Sequence, residues 1–558
     1  MTTFKNLTLW LKAIAVSTLV SVSGHTTAQE TYRNPIINAD VPDMSLCRVG
    51  EYYYLISTTM HLMPGAPIMR STDMKNWETI SYVFDRIEDG ERYDLINNQT
   101  VYGQGQWASS IRYHNGRFYV WFTCNGAPGK GFIYTAEKAE GPWKLLSRPR
   151  HLHDGSLFFD DDNRVYIFCE TGHLVELNED LSDVKPGGVD MVLFERDTEE
   201  QGALLEGSSV FKHNGKYYLC MISMKWGVPN RYRREVCYRA DNITGPYEKK
   251  VLIETPFEMY GGVGQGCLVD NADGTWSALI FQDRDGIGRT PCLLPCRWID
   301  GWPMLGDAEG KVPNDYSKPY QSMEGITSSD DFDSNGKVFG YAGDKESILK
   351  LCWQWNHNPI NEFTNEIGDV EKAWSVTERP GYMRLRTARI AENLFIAPNT
   401  LTQRMTGPKS NGAIKMDISQ MKDGDRAGIS GFQSDCGILA VEKDNGTARI
   451  VLTKESMRLK RGTRTVEGVE REEVASLGIK TDIVYLRVYA DFHEKRDMTW
   501  YEYSLDGEEW TRIGGEIPVR FDYTRFFMGT KFAVFNYATK QTGGYVDIDW
   551  FHYEADLR

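Results

Sequence analysis

The sequence is short of positive charge. Its 63 Lys and Arg residues are outnumbered by 78 Asp and Glu residues, so the 558-residue chain has a formal net charge of -15 at pH 7. Such a charge would repel nucleic acid and anionic lipid. Four basic residues do cluster in one strand-and-turn segment, which we interpret as a solvated face. They are Arg458, Lys460, Arg461 and Arg464. The charge balance therefore favours a neutral partner and predicts no binding to nucleic acid.

Long apolar runs are missing beyond the N-terminus, so no membrane span is predicted. The N-terminus itself carries Lys5 and Lys12 ahead of an apolar run over residues 13–22, and small residues at 26–28 suit a signal peptidase. No Cys lies between that run and residue 28, which argues against a lipid anchor there. We therefore predict a signal peptide over residues 1–28 and a periplasmic or secreted protein.

Cysteines are few, and their spacing does not suit a metal site. The one close pair among the ten, Cys292 and Cys296, has no partnering Cys/His pair, so a zinc site is not predicted. Four others sit inside apolar, strand-like runs, which is typical of buried free thiols. They are Cys124, Cys169, Cys220 and Cys267. We expect mostly free thiols, although an oxidising compartment would permit disulfides.

Five similar segments organise the first part of the chain. The clearest runs from Leu205 to Leu219, where apolar and β-branched residues flank Asn214-Gly215, a strong signal of a tight β-hairpin. The leading positions of the five copies are 65, 46, 52 and 59 residues apart. These positions are Asp43, Ala108, Asp154, Glu206 and Gln265. The spacing suits four-stranded blades and predicts a five-bladed β-propeller.

The repeat stops past Trp302, and residues 314–336 are rich in Asp, Ser, Asn and Gly, which predicts a linker. Beyond it, short alternating segments such as Arg449–Thr453 and Tyr545–Phe551 are separated by turns. A chain of this length is too long for one ordinary core. We therefore predict an all-β protein, with the propeller at 29–320 followed by a β-sandwich domain at 321–558.

Three leading positions of the repeat are acidic, and the innermost strands of a propeller would bring them to one axis. Cleaving an acetal requires an acid that protonates the departing oxygen. The inverting variant also requires a base that activates water on the opposite face. A third carboxylate can raise the pKa of the acid and orient it. Asp43, Asp154 and Glu206 match that division of labour.

These residues also resemble the three acidic motifs of glycoside hydrolase family 43, the five-bladed propeller xylosidases and arabinofuranosidases. The matching segments are Pro42-Asp43-Met44-Ser45, His153-Asp154-Gly155-Ser156-Leu157-Phe158 and Glu206-Gly207. Further similarity occurs at Trp107-Ala108, at Gly288-Arg289-Thr290-Pro291 and at Trp353–Pro359, the last being like that of members with an appended β-sandwich. The resemblance implies that Asp43 is the general base, Asp154 the pKa modulator and Glu206 the general acid. It also implies that Arg289 contacts the substrate.

The sequence departs from that family at Gln265, where many members carry a His that helps to hold a central ion. An amide can bond a water there, but it does not replace an imidazole ligand directly. We therefore predict no metal-ligating residue and no certain cofactor. A central calcium ion stays open, and Gln265 is treated as a substrate-binding candidate.

Two aromatic residues are further substrate-binding candidates. His61 follows the first hairpin, where a loop could reach the pocket, and lining the pocket and simple packing are equally compatible with its position. Trp107 immediately precedes the leading position of the second copy, which favours a sugar-stacking platform at the axial end of the blade over a place in the core.

The sequence as a whole predicts an exported, inverting, exo-acting glycosidase. The resemblance implies that it releases xylose or arabinofuranose from plant cell-wall polysaccharides or oligosaccharides. A carbohydrate-binding propeller without turnover is the alternative, as is a retaining propeller glycosidase with an aspartate nucleophile. The sequence does not choose between xylose and arabinofuranose, because loops and the sandwich domain would form the wall of the pocket.

Overall fold

The structure is a computed structural model that describes residues 31–126, 129–227, 232–333, 338–340 and 348–558. Tyr32–Arg558 form one compact unit. The predicted signal peptide lies outside the described residues, as do positions 334–336 of the predicted linker.

The first part of the chain forms five four-stranded antiparallel sheets, counted over the residues described. Blade 1 contains β1 (Ser45–Val49), β2 (Tyr52–Ile56), β4 (Gly65–Ser71) and β5 (Glu78–Phe84), and β3 (Leu62–Met63) leaves it after β2. Blade 2 contains β6 (Gly105–His114), β7 (Arg117–Asn125), β8 (Gly131–Ala136) and β9 (Lys144–Ser147). Blade 3 contains β10 (Ser156–Phe159), β11 (Val165–Cys169), β12 (His173–Leu177) and β13 (Asp190–Val192). Blade 4 contains β14 (Leu204–His213), β15 (Lys216–Met224), β16 (Arg234–Ala240) and β17 (Glu248–Ile253). Blade 5 contains β18 (Gly266–Asp270), β19 (Trp276–Asp283), β20 (Arg289–Ile299) and β21 (Trp302–Leu305).

The first strands of the blades surround a common axis. Each contacts the first strand of the next blade, from β1 through β6, β10 and β14 to β18, and β18 returns to contact β1. The segment before β1 strengthens the closure, because the backbone N–H of Val41 donates to the carbonyl of Arg289 in blade 5 (3.0 Å). The predicted five-bladed propeller is confirmed.

Two hairpin turns explain why the repeat was visible in the sequence. Asn214 and Gly215 have φ values of 48° and 75°, and Asn115 and Gly116 have 48° and 79°. A tight two-residue turn with both central residues in the left-handed region matches the right-handed twist of the flanking strands. The Asn-Gly pairs therefore close β14 onto β15 and β6 onto β7, as predicted.

The last part of the chain forms two large sheets that pack against each other. The eight-stranded sheet has the order β3, β24 (Gln354–Asn356), β29 (Leu401–Arg404), β38 (Lys531–Ala538), β31 (Asp425–Phe432), β32 (Asp435–Asp444), β33 (Thr447–Leu459) and β34 (Val466–Ile479). The seven-stranded sheet has the order β27 (Trp374–Ser375), β28 (Met383–Arg386), β39 (Tyr545–Asp556), β30 (Lys409–Asp417), β35 (Ile483–Asp491), β36 (Met498–Ser504) and β37 (Thr511–Pro518). The predicted β-sandwich is confirmed.

Smaller elements connect these sheets. Two short hairpins pair β22 (Val338–Gly340) with β23 (Ile348–Lys350) and β25 (Glu362–Thr364) with β26 (Val370–Lys372). The helical segments are the α-helix α1 (Thr198–Gln201) and short 3₁₀ turns at Glu91–Asp94, Ile96–Asn98, Asp285–Ile287, Leu394–Ile396 and His493–Lys495. None of the helices in the described residues has both the length and the apolar character needed to cross a membrane.

The propeller and the sandwich share a sheet and a core. Strand β3, which comes from blade 1, pairs with β24 through Met63 and Trp355, so a propeller segment forms one edge of the eight-stranded sheet. One continuous apolar cluster runs from Phe84 of blade 1 through Trp355 to Leu401 of the sandwich. All ten cysteines are free, and only Cys47 is not fully buried.

Candidate active site

The three acidic residues lie at the axial ends of their blades. Asp43 and Asp154 come just before β1 and β10, with φ values of 52° and 49°, and both side chains are buried. The left-handed region costs a non-glycine residue roughly 1–2 kcal/mol, and such strain clusters at functional sites. The same unfavourable backbone therefore occurs twice, at equivalent points of two blades, each time on a buried carboxylate.

Glu206 is aimed by a β-bulge in β14. The pairing of β14 with β15 shifts register between Glu206 and Ser209, and Gly207 in the bulge has a φ of 70°. A Cβ atom at Gly207 would lie 2.7 Å from the side chain of Gln265. Bulges next to active sites re-aim side chains. Glycine is thus required here, and Gln265 stands beside the segment that carries Glu206.

Arg289 holds Asp43. Its Nη1 donates to both carboxylate oxygens of Asp43, at 2.9 and 3.1 Å, and both side chains are almost fully buried. The backbone N–H of Arg289 donates to Asp40 Oδ1 (2.9 Å), which fixes the start of β20. Nε and Nη2 of Arg289 are buried and have no partner among the described residues. Two buried donors of this cation, beside Asp43, are therefore unsatisfied by the described residues.

Asp154 and Glu206 keep their protons to unusually high pH. Burial, followed by the negative charge of Asp43, raises the pKa of Asp154 to about 7. Burial, followed by the charge of Asp154, raises the pKa of Glu206 to about 7, while His153 and Arg233 act in the opposite direction. Two close carboxyl groups cannot both ionise freely. The pair can therefore hold a proton near neutral pH.

Two aromatic rings flank this pair. Oxygen atoms of Asp154 and Glu206 and a ring nitrogen of His153 all lie within 4.8 Å of one another. The half-buried ring of Trp107 is 5.5 Å from that of His153, on a second bulged strand, β6. Trp107 thus lies beside His153 and also packs against a core cluster of the sandwich, and its role as a sugar platform stays a prediction. His153 belongs to the second acidic motif, His153-Asp154-Gly155, but no role was predicted for it.

Arg233 is a site residue that the sequence reasoning missed. It forms an ion pair with Asp283, stacks over Phe281 at 5.1 Å and lies within electrostatic reach of Glu206. Arg289 stacks over the same ring at 5.6 Å. No motif marks Arg233, which lies in an ordinary polar stretch before β16. Its proximity follows only from the closure of the propeller.

The sandwich domain also contributes side chains to the site. Arg289 stacks over Phe527 at 4.9 Å and over Phe521 at 6.0 Å, and Tyr523 packs against Phe527 at 5.6 Å. Asp522 stiffens this loop, because its Oδ1 accepts hydrogen bonds from the backbone N–H groups of Thr524 and Arg525. Phe527 also contacts Trp107, at 5.4 Å. One wall of the site is therefore an aromatic loop more than 200 residues after the last blade.

His61 does not line a pocket, so the expectation that it binds substrate is corrected. Its side chain has no exposed surface and packs against Tyr102 (4.7 Å), His357 (5.1 Å) and Phe526 (5.1 Å). Burial, followed by the neighbouring His357, holds its pKa well below the ordinary value. The physical reason is β3, which draws the loop after β2 into the sandwich sheet. His61 belongs to the interface between the two domains.

The side chains around Gln265 do not fit a calcium ion held by protein ligands. The backbone N–H of Gln265 donates to Glu235 Oε2 (2.7 Å), and burial raises the pKa of Glu235 to about 8, which disfavours the ionised form of this carboxyl. Calcium takes about six to eight oxygen ligands, typically including ionised carboxylates. Gln265 and Glu235 offer one amide oxygen and one carboxyl whose ionised form is disfavoured by burial.

Comparisons with known proteins give a family for each of the two domains. The family described as "Glycosyl hydrolases family 43" matches residues 32–303, and "Beta xylosidase C-terminal Concanavalin A-like domain" matches residues 344–554. A beta-xylosidase of Formosa agariphila is 29% identical over 580 residues, which is 94% of this chain and 90% of that protein. A relative from Xylanibacter ruminicola is 34% identical over 70% of this chain and 68% of its own length.

One solved structure is similar to this chain over both of its domains. A bifunctional GH43-CE protein of Bacteroides eggerthii is 39% identical with a TM-score of 0.83; the match covers 95% of this chain, and this chain spans 64% of that protein. The alternative of a binding propeller without turnover is set aside, because the acidic residues converge and the family and its named relatives are glycosidases. From its acidic axis, its two domains and these relatives, we conclude that the chain belongs to glycosyl hydrolase family 43 and is a glycoside hydrolase.

Proposed function

We propose that this protein is an exported, inverting, exo-acting glycosidase that removes terminal pentose residues, xylose or arabinofuranose, from plant cell-wall glycans. The observation that carries the proposal is the convergence of Glu206, whose pKa burial and Asp154 raise to about 7, with Asp43, a buried carboxylate held by Arg289. An acid and a base in such different surroundings can act on opposite faces of one acetal.

Glu206 would act as the general acid. Its pKa of about 7 leaves it protonated in the range where it must give its proton to the departing glycosidic oxygen. Asp154 would serve as the positioning residue that keeps this proton in place, since its charge is the largest electrostatic contribution to the raised pKa of Glu206 after burial. The bulge at Gly207 would fix the direction in which Glu206 points.

Asp43 would act as the general base. It is ion-paired with Arg289, so it carries the negative charge needed to take a proton from water. The water would then attack the anomeric carbon as positive charge develops on the sugar. The bond from the anomeric carbon to the glycosidic oxygen would break as Glu206 gives its proton to that oxygen, which leaves Glu206 as a carboxylate. No covalent bond to the enzyme would form. The unpartnered Nε and Nη2 of Arg289 would donate to sugar hydroxyls beside Asp43.

The walls of the site support removal of a terminal sugar. Phe527 of the sandwich loop and Trp107 of blade 2 contact each other beside Arg289 and His153. Such a wall suits a pocket for one end residue, whereas a chain threading through would need an open cleft. Among the relatives, one is named beta-xylosidase and one, from Bacteroides ovatus, is named non-reducing end alpha-L-arabinofuranosidase. These names support a pentose and leave both sugars in the proposal.

Hydrolysis of aryl glycosides followed by NMR tests the proposal. We expect turnover of an aryl β-xyloside, an aryl α-L-arabinofuranoside or both, with the opposite anomer released first. Release of the retained anomer would overturn the inverting mechanism. Hydrolysis within unsubstituted chains at a rate above that of end cleavage would overturn the exo assignment.

Export rests on the N-terminal pattern of two lysines, an apolar run and small residues. We propose that the chain is cleaved after Ala28 and is periplasmic or secreted. N-terminal sequencing of the protein purified from the periplasm and from the medium tests this. A mature protein that still begins at Met1 in the cytoplasmic fraction would contradict it.

A further inference from the structure

A cavity of about 750 Å³ lies at the junction of the two domains. Its propeller side is formed by the connection between blades 1 and 2, including Arg92 and Gln104, and its sandwich side by the β33–β34 turn, residues 459–465. Thr100 joins the two sides, because its backbone N–H and its hydroxyl both donate to the carbonyl of Arg464 (3.0 and 2.6 Å). The size is that of a site for a small ligand.

The cavity is lined by positive charge in an otherwise acidic protein. Five basic side chains line it: Arg92, Lys460, Arg461, Arg464 and Arg525. Arg525 is paired with Asp435 and Asp522. The other four form no ion pair with any carboxylate of the described residues, and Arg464 is held in place by a bond from Nη1 to the carbonyl of Thr524 (2.5 Å). Unpaired cations gathered around a concave surface attract an anion.

The cavity adjoins the candidate active site. Thr524 and Arg525 line it, and they belong to the same loop as Phe527, which contacts Arg289. On the propeller side, Gln104 lines it and lies three residues before Trp107. Gly103 lies between the two, because a Cβ atom there would be 3.6 Å from the side chain of Phe527 and 3.7 Å from Nη1 of Arg464. Phe527 and Trp107, which contact each other, therefore border both the acidic residues and the basic cavity. A glycan with its terminal sugar at the acidic residues would reach the cavity with a part beyond that sugar.

We propose that this cavity binds the carboxylate of a uronic acid carried on the leaving-group part of the glycan. The inference rests on the proposed function, because that function places the leaving group toward the cavity. The preference for a negative charge rests only on the basic residues that line the cavity. Guanidinium groups bind carboxylates through paired, charge-assisted hydrogen bonds, and Lys460 would add a mobile point charge. The enzyme would thus favour acidic glycans with a terminal pentose over neutral ones.

Two oligosaccharides that differ at one sugar test the proposal. Both carry the same terminal pentose; one has a uronic acid in the leaving group, and the other has the same sugar with its carboxyl reduced to an alcohol. We expect kcat/KM to be about fivefold higher for the acidic substrate at low ionic strength. Lys460→Ser/Arg461→Ser should bring that ratio close to one. The ratio does not depend on the fraction of folded enzyme, so partial misfolding of the variant cannot mimic the result.

A matched control lies on the same hairpin. Lys454→Ser/Arg458→Ser removes the same two charges from β33, outside the residues that line the cavity, and should leave the ratio unchanged. A wild-type ratio of one or less, or an equal fall in the control, would overturn the proposal. Inorganic phosphate added at matched ionic strength should lower the ratio no more than NaCl does, and a larger effect would reassign the cavity to phosphate.

Calorimetry separates failure of this proposal from failure of the proposed function. If neither oligosaccharide is hydrolysed, the proposed function is wrong. Titration of the wild-type protein with each oligosaccharide still measures whether the uronic acid increases binding affinity. Tighter binding of the acidic oligosaccharide, lost in Lys460→Ser/Arg461→Ser, would support the site. Equal binding of both oligosaccharides would overturn it.

Discussion

The two domains contribute different chemistry to one site. The propeller supplies the charges: three carboxylates and Arg289 converge at the ends of its inner strands. The sandwich supplies shape: Phe521, Tyr523 and Phe527 form an aromatic wall over Arg289. The proposed catalytic carboxylates are therefore held by a closed ring of strands, whereas the aromatic wall comes from a domain that holds none of them. Substitutions in the propeller should therefore alter proton transfer, whereas substitutions in the sandwich should alter substrate binding.

Removing the sandwich tests the comparison most severely. A chain that ends after Tyr320 should be insoluble and inactive, because it would expose the apolar cluster shared by Phe84 and Trp355 and leave β3 without its partner. Solubility and size-exclusion chromatography measure this. A soluble, monomeric and fully active propeller would show that the sandwich is an independent accessory.

Within the propeller, Asp43 and Glu206 should respond differently to the leaving group. Asp43→Ala should lower kcat by about 10²–10⁴ on every glycoside, because water must be activated whichever group departs. Glu206→Ala should lose as much on an alkyl glycoside and much less on an activated aryl glycoside, which needs little protonation. Steady-state kinetics on both substrates measure this.

Equal losses for Glu206→Ala on the two substrate types would contradict its role as acid. Asp162→Ala is the matched control, since that exposed carboxylate lies in a turn of blade 3 and should leave kcat unchanged.

Within the sandwich, Phe527 should govern binding. Phe527→Ala should lower kcat/KM about tenfold, because it removes a ring stacked on Arg289 and opens the pocket wall. The pH profile should keep its shape, since the carboxylates are untouched. Tyr316→Ala, at a well-exposed aromatic ring, is the control and should have no effect. A changed pH profile in Phe527→Ala would show that shape and charge are not separable as described.

The smallest expected effects are shifts of the upper pH limb, in opposite directions. Activity is lost as pH rises through the pKa of the general acid, because Glu206 must be protonated. Asp154 raises that pKa and Arg233 lowers it. Asp154→Asn should therefore move the limb to lower pH, and Arg233→Gln should move it to higher pH, each by about one unit. Profiles of kcat/KM from pH 4 to 9 measure this, and shifts of the same sign would refute the assignment.

Much of the propeller could be predicted because its turns and strands are local. The tight turn at Asn214-Gly215 depends only on the ability of these two residues to adopt positive φ values. The repeat of such hairpins then predicts that Asp43, Asp154 and Glu206 lie around one axis. Arg289 was expected to contact substrate only by resemblance. Its pairing with Asp43 depends on how blade 5 closes against blade 1, and the sequence carries no local sign of it.

The remaining features arise from contacts between distant segments. Phe527 reaches Arg289 only because the sandwich docks on the propeller, and nothing in the residues around it marks a pocket wall. The prediction that His61 binds substrate was wrong for the same reason. Its loop follows a hairpin, as substrate-binding loops often do, but β3 next to it pairs with β24, and His61 is buried. Short sequence patterns predict strands, turns and their repeat. The packing of one domain on another depends on contacts between residues that are far apart in the sequence, so no short segment predicts it.

The pairing of β3 with β24 has a consequence for synthesis of the chain. Met63 pairs with Trp355, so blade 1 leaves the ribosome roughly 300 residues before its partner strand exists. At ~5–20 residues per second the interval is roughly 15–60 s, during which the edge of β3 and the loop carrying His61 have no cover. The aromatic loop over Arg289 is made later still. The three proposed catalytic carboxylates are thus made in the first half of synthesis, and the aromatic loop that packs over Arg289 is made close to its end.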